Sequence, residues 1–124
     1  MMSAALLDQG KTAIRDVVKT LVTHVGISTD TTAFSSSQVR IDPTGAGTNI
    51  IKSSAGEVNV DAGTFDAPIT ISGADGVGVF KTVSILNGAS ATNALTRSVR
   101  TNGIGIDVGD TFVLTVRVTV EDNS

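Results

Sequence analysis

Thr111-Phe112-Val113-Leu114-Thr115-Val116-Arg117-Val118-Thr119-Val120-Glu121 is the stretch whose reading decides the fold. Phe112, Leu114, Val116, Val118 and Val120 fall on one side of an extended chain, and Val113, Thr115, Arg117, Thr119 and Glu121 on the other. Successive side chains of a strand point to opposite faces, so this alternation describes a sheet with one face in a core and one in water. Val108-Gly109-Asp110 is the turn that launches it.

Working back from there, the same period of two recurs in shorter pieces. Residues 95–99 predict a strand, closed by a turn at Thr101-Asn102-Gly103. Residues 77–85 predict a strand pair or one interrupted strand, followed by the tight-turn signal Asn87-Gly88. Residues 57–60 and 69–71 alternate, with Asp61-Ala62-Gly63 and Asp66-Ala67-Pro68 as punctuation between them. Residues 50–52, 39–41 and 23–27 are further short-strand candidates. Asp42-Pro43-Thr44-Gly45-Ala46-Gly47 is a turn cluster, because Pro fixes φ and Gly permits positive φ. Residues 29–48 as a whole read as a long Ser/Thr-rich loop, the most flexible segment of the chain, and the tail Asp122-Asn123-Ser124 is expected to fray.

One segment breaks the pattern. Over residues 7–22, Leu7, Ile14, Val17, Val18 and Leu21 recur at helical spacing, with Arg15, Asp16 and Lys19 between them. Asp8 is placed to cap the start of this helix. Gly10 weakens its first turn by about 1 kcal/mol relative to Ala. Its apolar stripe is expected to pack on a sheet; the other reading is a helix that binds a partner or a membrane surface. A polar face of mixed sign lacks the Lys/Arg excess of a membrane binder.

One helix followed by several short strands with Gly turns implies a mainly β fold. The expectation is an antiparallel β-sandwich, jelly-roll-like, with one N-terminal amphipathic helix, forming a single domain over residues 1–124. That length is enough for one self-sufficient core. The hydrophobic share is 40%, yet four Phe are the only aromatics, so the core must be built from Val, Ile and Leu. There is no Cys, which removes disulfides and thiolate metal sites. The net charge is −3 and the nine basic residues are scattered, which disfavours nucleic acid as a partner, since neutralising phosphates takes clustered Lys and Arg. No apolar run approaches the roughly 20 residues of a membrane span, so no membrane partner is expected. The N-terminus lacks a basic region leading into an apolar stretch, so no signal peptide is expected.

The residues offer little chemistry. His24 is the one His, at the helix-to-strand junction, and without Cys or a second His it is read as structural or solvent-exposed. Asp61, Asp66, Asp75, Asp107 and Asp110 lie near turns, but none matches a Ca²⁺-loop spacing; the simpler reading is that Asp bonds its own backbone there. Gly73-Ala74-Asp75-Gly76-Val77-Gly78 is Gly-rich, but a strand pattern follows it, whereas a phosphate cradle needs a helix N-terminus. No enzyme activity, cofactor or metal is expected.

The order of elements resembles short virion proteins of tailed phages or archaeal tailed viruses, of the kind described as tail, fibre-associated or structural. The resemblance runs through five segments. Leu7-Asp8-Gln9-Gly10-Lys11 leads into the helix. Gly26-Ile27-Ser28-Thr29-Asp30-Thr31-Thr32-Ala33-Phe34 is a Gly followed by a Thr-rich loop. Gly76-Val77-Gly78-Val79-Phe80 ends in the family's G-[IVL]-F manner, and Ala94-Leu95-Thr96-Arg97-Ser98-Val99 matches A-L-x-R-[ST]-V. Gly109-Asp110-Thr111-Phe112 matches the G-D-T launch of the final strand. This chain has Val and Arg where the family has Trp or Tyr in that strand, and its Thr-rich loop has no Pro.

The resemblance implies a building block located in the virion, in the tail, baseplate, fibre or neck. It would contact other virion proteins and associate with itself as a trimer or higher homo-oligomer. The alternatives are a capsid decoration protein on the head surface and a carbohydrate- or receptor-binding module. Copy number separates the first two: hundreds of copies per particle would favour the capsid and tens the tail. Phe34, Phe65 and Phe80 are the only aromatics available to a binding site besides Phe112, which lies in phase with the core face. The candidate interface is Phe34 with Thr31, Thr32, Val39 and Arg40, in the long loop. Phe34 is read either as an exposed anchor or as a residue folded back onto the core.

Overall fold

A computed structural model describes residues 6–54 and 56–121; the tail expected to fray, residues 122–124, lies outside them. The fold is mainly β, with two antiparallel sheets and one N-terminal helix. The chain runs α1 (Asp8–Leu21), β1 (His24–Ser28), β2 (Asn49–Ser53), β3 (Val58–Asp61), β4 (Thr64–Ser72), β5 (Gly78–Leu86), β6 (Ser98–Ile106) and β7 (Thr111–Thr119). One sheet has four strands in the order β2-β1-β5-β6, and the other has three in the order β3-β4-β7.

The final strand behaves as its sequence dictates. It pairs with β4 over nine residues without a break, from Thr64 opposite Thr119 to Ser72 opposite Thr111. The inward rows of the two strands meet one to one: Phe65 with Val118, Ala67 with Val116, Ile69 with Leu114 and Ile71 with Phe112. The β4 members of these pairs are buried, while the β7 members are half-buried against the same core. From the other sheet come Val25 and Ile27 of β1, Ile50 of β2 and Phe80 and Ile85 of β5. The two inner faces therefore share one aliphatic core, as in a β-sandwich.

The four-stranded sheet is covered on its outer face as well. Gly26, Ser28, Thr82, Ser84 and Leu86 point away from the shared core and are all buried, beneath residues 29–48 and the β5–β6 connection. A Cβ on Gly26 would meet Ile41 Cδ1 at 2.9 Å and Ile51 and Leu86 at 3.1 Å. Gly at that position thus lets Ile41, itself fully buried, settle on the sheet.

Four local expectations are corrected. Pro68 does not punctuate the chain but sits within β4. The partner β3 reaches only Thr64–Asp66, so from Ala67 onward that side of β4 is a sheet edge, where Pro is tolerated. Thr101-Asn102-Gly103 is not a turn between strands. It lies inside β6, whose register jumps from Ile104 opposite Phe80 to Val99 opposite Thr82. The flexible residues become a bulge. Residues 39–41 form no strand; Ile41 N–H bonds Ala91 O and Val39 O accepts from Ala94 N–H, single links to the β5–β6 connection. Asp8 is the first helical residue rather than the cap. The cap position is Leu7, with no side-chain bond, and Asp8 acts on the positive end of the helix dipole.

The helix also packs differently from its expected mode. Of its apolar stripe only Val18 joins the core; Leu7, Ile14, Val17 and Leu21 are exposed, Val17 by 61%. The contact is polar instead: Arg15 Nη1 donates to Asp61 O at 2.6 Å and Lys19 Nζ to Asn59 Oδ1 at 2.9 Å. These acceptors belong to β3, which is four residues long and exposed throughout. No helix among the described residues is long and apolar enough to cross a membrane.

Candidate interaction surface

The long loop is held by one residue. Arg97, just before β6, is buried, and each of its five N–H groups finds an acceptor. Nε donates to Ile41 O (3.0 Å); Nη1 to Thr32 O (2.6 Å) and Gln38 Oε1 (3.2 Å); Nη2 to Asp30 Oδ1 (3.1 Å) and Thr82 Oγ1 (3.4 Å). Four of these partners lie in the loop, so a single guanidinium fixes the segment at residues 30, 32, 38 and 41.

Asp30 balances the charge. Its side chain and that of Arg97 are 2% and 3% exposed, a buried ion pair that survives only if every remaining polar group is satisfied. It is satisfied: Asp30 Oδ1 also accepts from Thr32 N–H at 2.7 Å, and Oδ2 accepts from the Thr44 hydroxyl at 2.7 Å and the Thr44 N–H at 3.3 Å. Burial by itself would raise the Asp30 pKa. The hydrogen bonds from Thr44 and Thr32 favour the carboxylate more strongly and bring it down to about 2. Next to this pair, buried Asp42 bonds Arg40 Nη2 at 3.0 Å, which orients the arginine along the loop.

With its base held, the loop presents apolar side chains outward. Phe34 is 66% exposed and Val39 61%; both stand clear of the core, which settles Phe34 as an exposed side chain. Leu95, in the β5–β6 connection, is 50% exposed. Phe34, Gln38, Arg40, Leu95 and Arg97 line a surface cavity of about 180 Å³. Val39 and Arg40 line a neighbouring hollow with Pro43.

The five residues singled out from sequence are therefore not one patch. Phe34, Val39 and Arg40 share one side of the loop. Thr31 and Thr32 line a separate, open groove with Thr44 and Gly47, where the Thr32 backbone is engaged by Asp30 and Arg97. Sequence reasoning missed Leu95, which completes the apolar cluster, and the Asp30–Arg97 pair beneath it. An Arg within an otherwise strand-like, uncharged run was the available signal, but its partner is 67 residues away.

The other groups considered for chemistry have structural partners. His24 Nδ1 lies 2.8 Å from Thr23 Oγ1 at the start of β1. Asp61 accepts from Gly63 N–H, Asp75 from Ser72 N–H and Asp110 from Asp107 N–H, each closing a turn. Asp66 is bonded twice by Arg117 across the β4–β7 ladder, which holds its carboxyl below the usual range.

Comparison with protein-family models, with curated proteins and with solved structures gave no match.

Proposed function

We propose that the chain is a structural component of a tailed-virus virion, in the tail, baseplate, fibre or neck, working through subunit contacts made by residues 29–48. The observation that carries this reading is the exposed Phe34 of the loop beside Leu95 of the β5–β6 connection at one cavity, with exposed Val39 in the adjoining hollow, all on segments locked by a buried, fully bonded Arg97–Asp30 pair. Contact surfaces are dominated by a few apolar or aromatic anchors on a preorganised support. A loop that spends a buried ion pair on holding its shape while leaving its Phe in water has the form of such a support. The order of the five sequence segments supplies the virion context, and two of them, Asp30-Thr31-Thr32 and Ala94-Leu95-Thr96-Arg97, are the pieces the ion pair joins.

The cavity beside Phe34, at about 180 Å³, is smaller than the roughly 300–1,000 Å³ of small-molecule sites, which suits a protein contact at this loop better than a small ligand bound there. Electron microscopy of intact particles tests the reading. Density for this chain at the tail or baseplate, with residues 29–48 against a neighbour, is the expected result. Density over the head shell would make it a decoration protein, and absence from the particle would end the proposal. In parallel, Phe34→Ala should leave the isolated chain within about 0.5 kcal/mol of its original stability, because the ring is exposed, while weakening assembly. Normal assembly with a destabilised monomer would remove Phe34 from the contact.

A further inference from the structure

We infer that β7 is a self-recognition edge, along which two copies of this chain pair antiparallel about Thr115. The sandwich has four edge strands, β2, β6, β3 and β7, besides the part of β4 beyond β3, where Pro68 interrupts the row of N–H donors. An edge offers unpaired N–H and C=O groups to any passing strand, and folded proteins blunt it with short length, bulges, charges or a covering element. Three of the four are treated in this way. β2 is five residues long, with Lys52 in an ion pair to Asp75. β3 is four residues long and is tied to α1 through Arg15 and Lys19. β6 is interrupted by the bulge at residues 100–103.

The fourth is not. β7 runs nine residues in unbroken register with β4, and among the described residues it has no ladder partner on its other side. Its inward row of Phe112, Leu114, Val116 and Val118 is only half-buried. Opposite that opening, β6 is exposed at every position from Ser98 to Gly103, so it does not close over β7.

The strand's own sequence accommodates a second copy of itself. Read about Thr115, it is self-complementary: Thr111 would face Thr119 of a second copy, Phe112 Val118, Val113 Arg117 and Leu114 Val116, with Thr115 on Thr115. Every inward apolar residue meets an inward apolar residue, which covers the half-buried row from both sides. On the outer face Thr meets Thr, and Val113 meets the aliphatic stem of Arg117, so the two arginines are never directly opposed. Pairing would join the two three-stranded sheets into one six-stranded sheet across a twofold axis. This inference does not depend on the virion reading: it concerns the purified chain, whereas that reading is decided in particles.

The absence of Cys gives a clean experiment on the full chain. Directly opposed residues of an antiparallel pair have Cα atoms about 4.5–5.5 Å apart, within the range a disulfide spans. Under mild oxidation Thr115→Cys should give a covalent dimer, whereas Val113→Cys, facing Arg117 rather than itself, should cross-link at least tenfold more slowly. Light scattering should give the original chain twice its 12.6 kDa mass. Val113→Lys sets like charges opposite each other at both ends of the pairing and should lose the dimer, while Val113→Glu should keep it. Both positions are exposed, and circular dichroism checks each variant's fold. A monomer at every concentration, equal cross-linking of the two Cys variants, or a dimer unchanged by Val113→Lys would each overturn the proposal.

Discussion

Arg97 and Asp30 concentrate more consequence than any other two residues in the chain. Because the pair is buried, removing one partner leaves an uncompensated charge, so Arg97→Met should cost about 3–5 kcal/mol in urea unfolding. It should also open the loop to proteolysis at Arg40. The pair makes stability depend on acid. The Asp30 carboxyl is held at about 2 when folded, against an ordinary 3.8. The unfolded chain therefore takes up the proton first, and the contribution is complete above about pH 4 and lost as pH falls toward 2. It amounts to about 2 kcal/mol, so unfolding free energies at pH 2 and pH 5 should differ by that amount more in the original chain than in Asp30→Asn. None of this was legible beforehand. Asp30 looked like one polar residue among many in a Thr-rich loop, and only the three-dimensional path brings Arg97 to it. What sequence did show was that Phe34 sat in a polar setting, which is why its exposure was one of two readings.

The longest run with a clean period of two was read correctly, because alternation reports which face a core covers: β7 and its inward row are the clearest case, whereas of residues 95–99, also read as a strand, 95–97 lie in the connection and β6 begins only at Ser98. Signals of chain breaking were less faithful. Pro68 and Thr101-Asn102-Gly103 both say that a regular ladder is locally disfavoured, and an edge or a bulge meets that condition as well as a turn does. The helix was found within a residue or two, but its orientation was not. An apolar stripe marks which face of a helix is apolar, not how much of it a partner covers, and here only Val18 packs on the core while the sheet edge beside the helix offers carbonyl and amide oxygens to Arg15 and Lys19. Two substitutions on neighbouring residues separate these cases. Val17→Asp should change the melting free energy by no more than about 0.5 kcal/mol, because Val17 is in water. Val18→Asp should cost about 1–3 kcal/mol, because its side chain packs on the core.

At the scale of the molecule, the fold class followed from composition and pattern, while the order of strands did not, since every strand carries similar Val, Ile and Thr. The pairings that matter are distant in sequence: Val25 lies opposite Ile85, and Phe65 opposite Val118. Closing such contacts is slow, and refolding should take milliseconds to seconds rather than microseconds, measured by stopped-flow circular dichroism because the chain has no Trp or Tyr to report by fluorescence. The clamp on the long loop adds a matter of timing. Asp30 leaves the ribosome well before Arg97, which joins it only after four further strands have been made. The surface carrying Phe34, Val39 and Leu95 thus comes into being late in synthesis, and a truncated or half-made copy cannot present it.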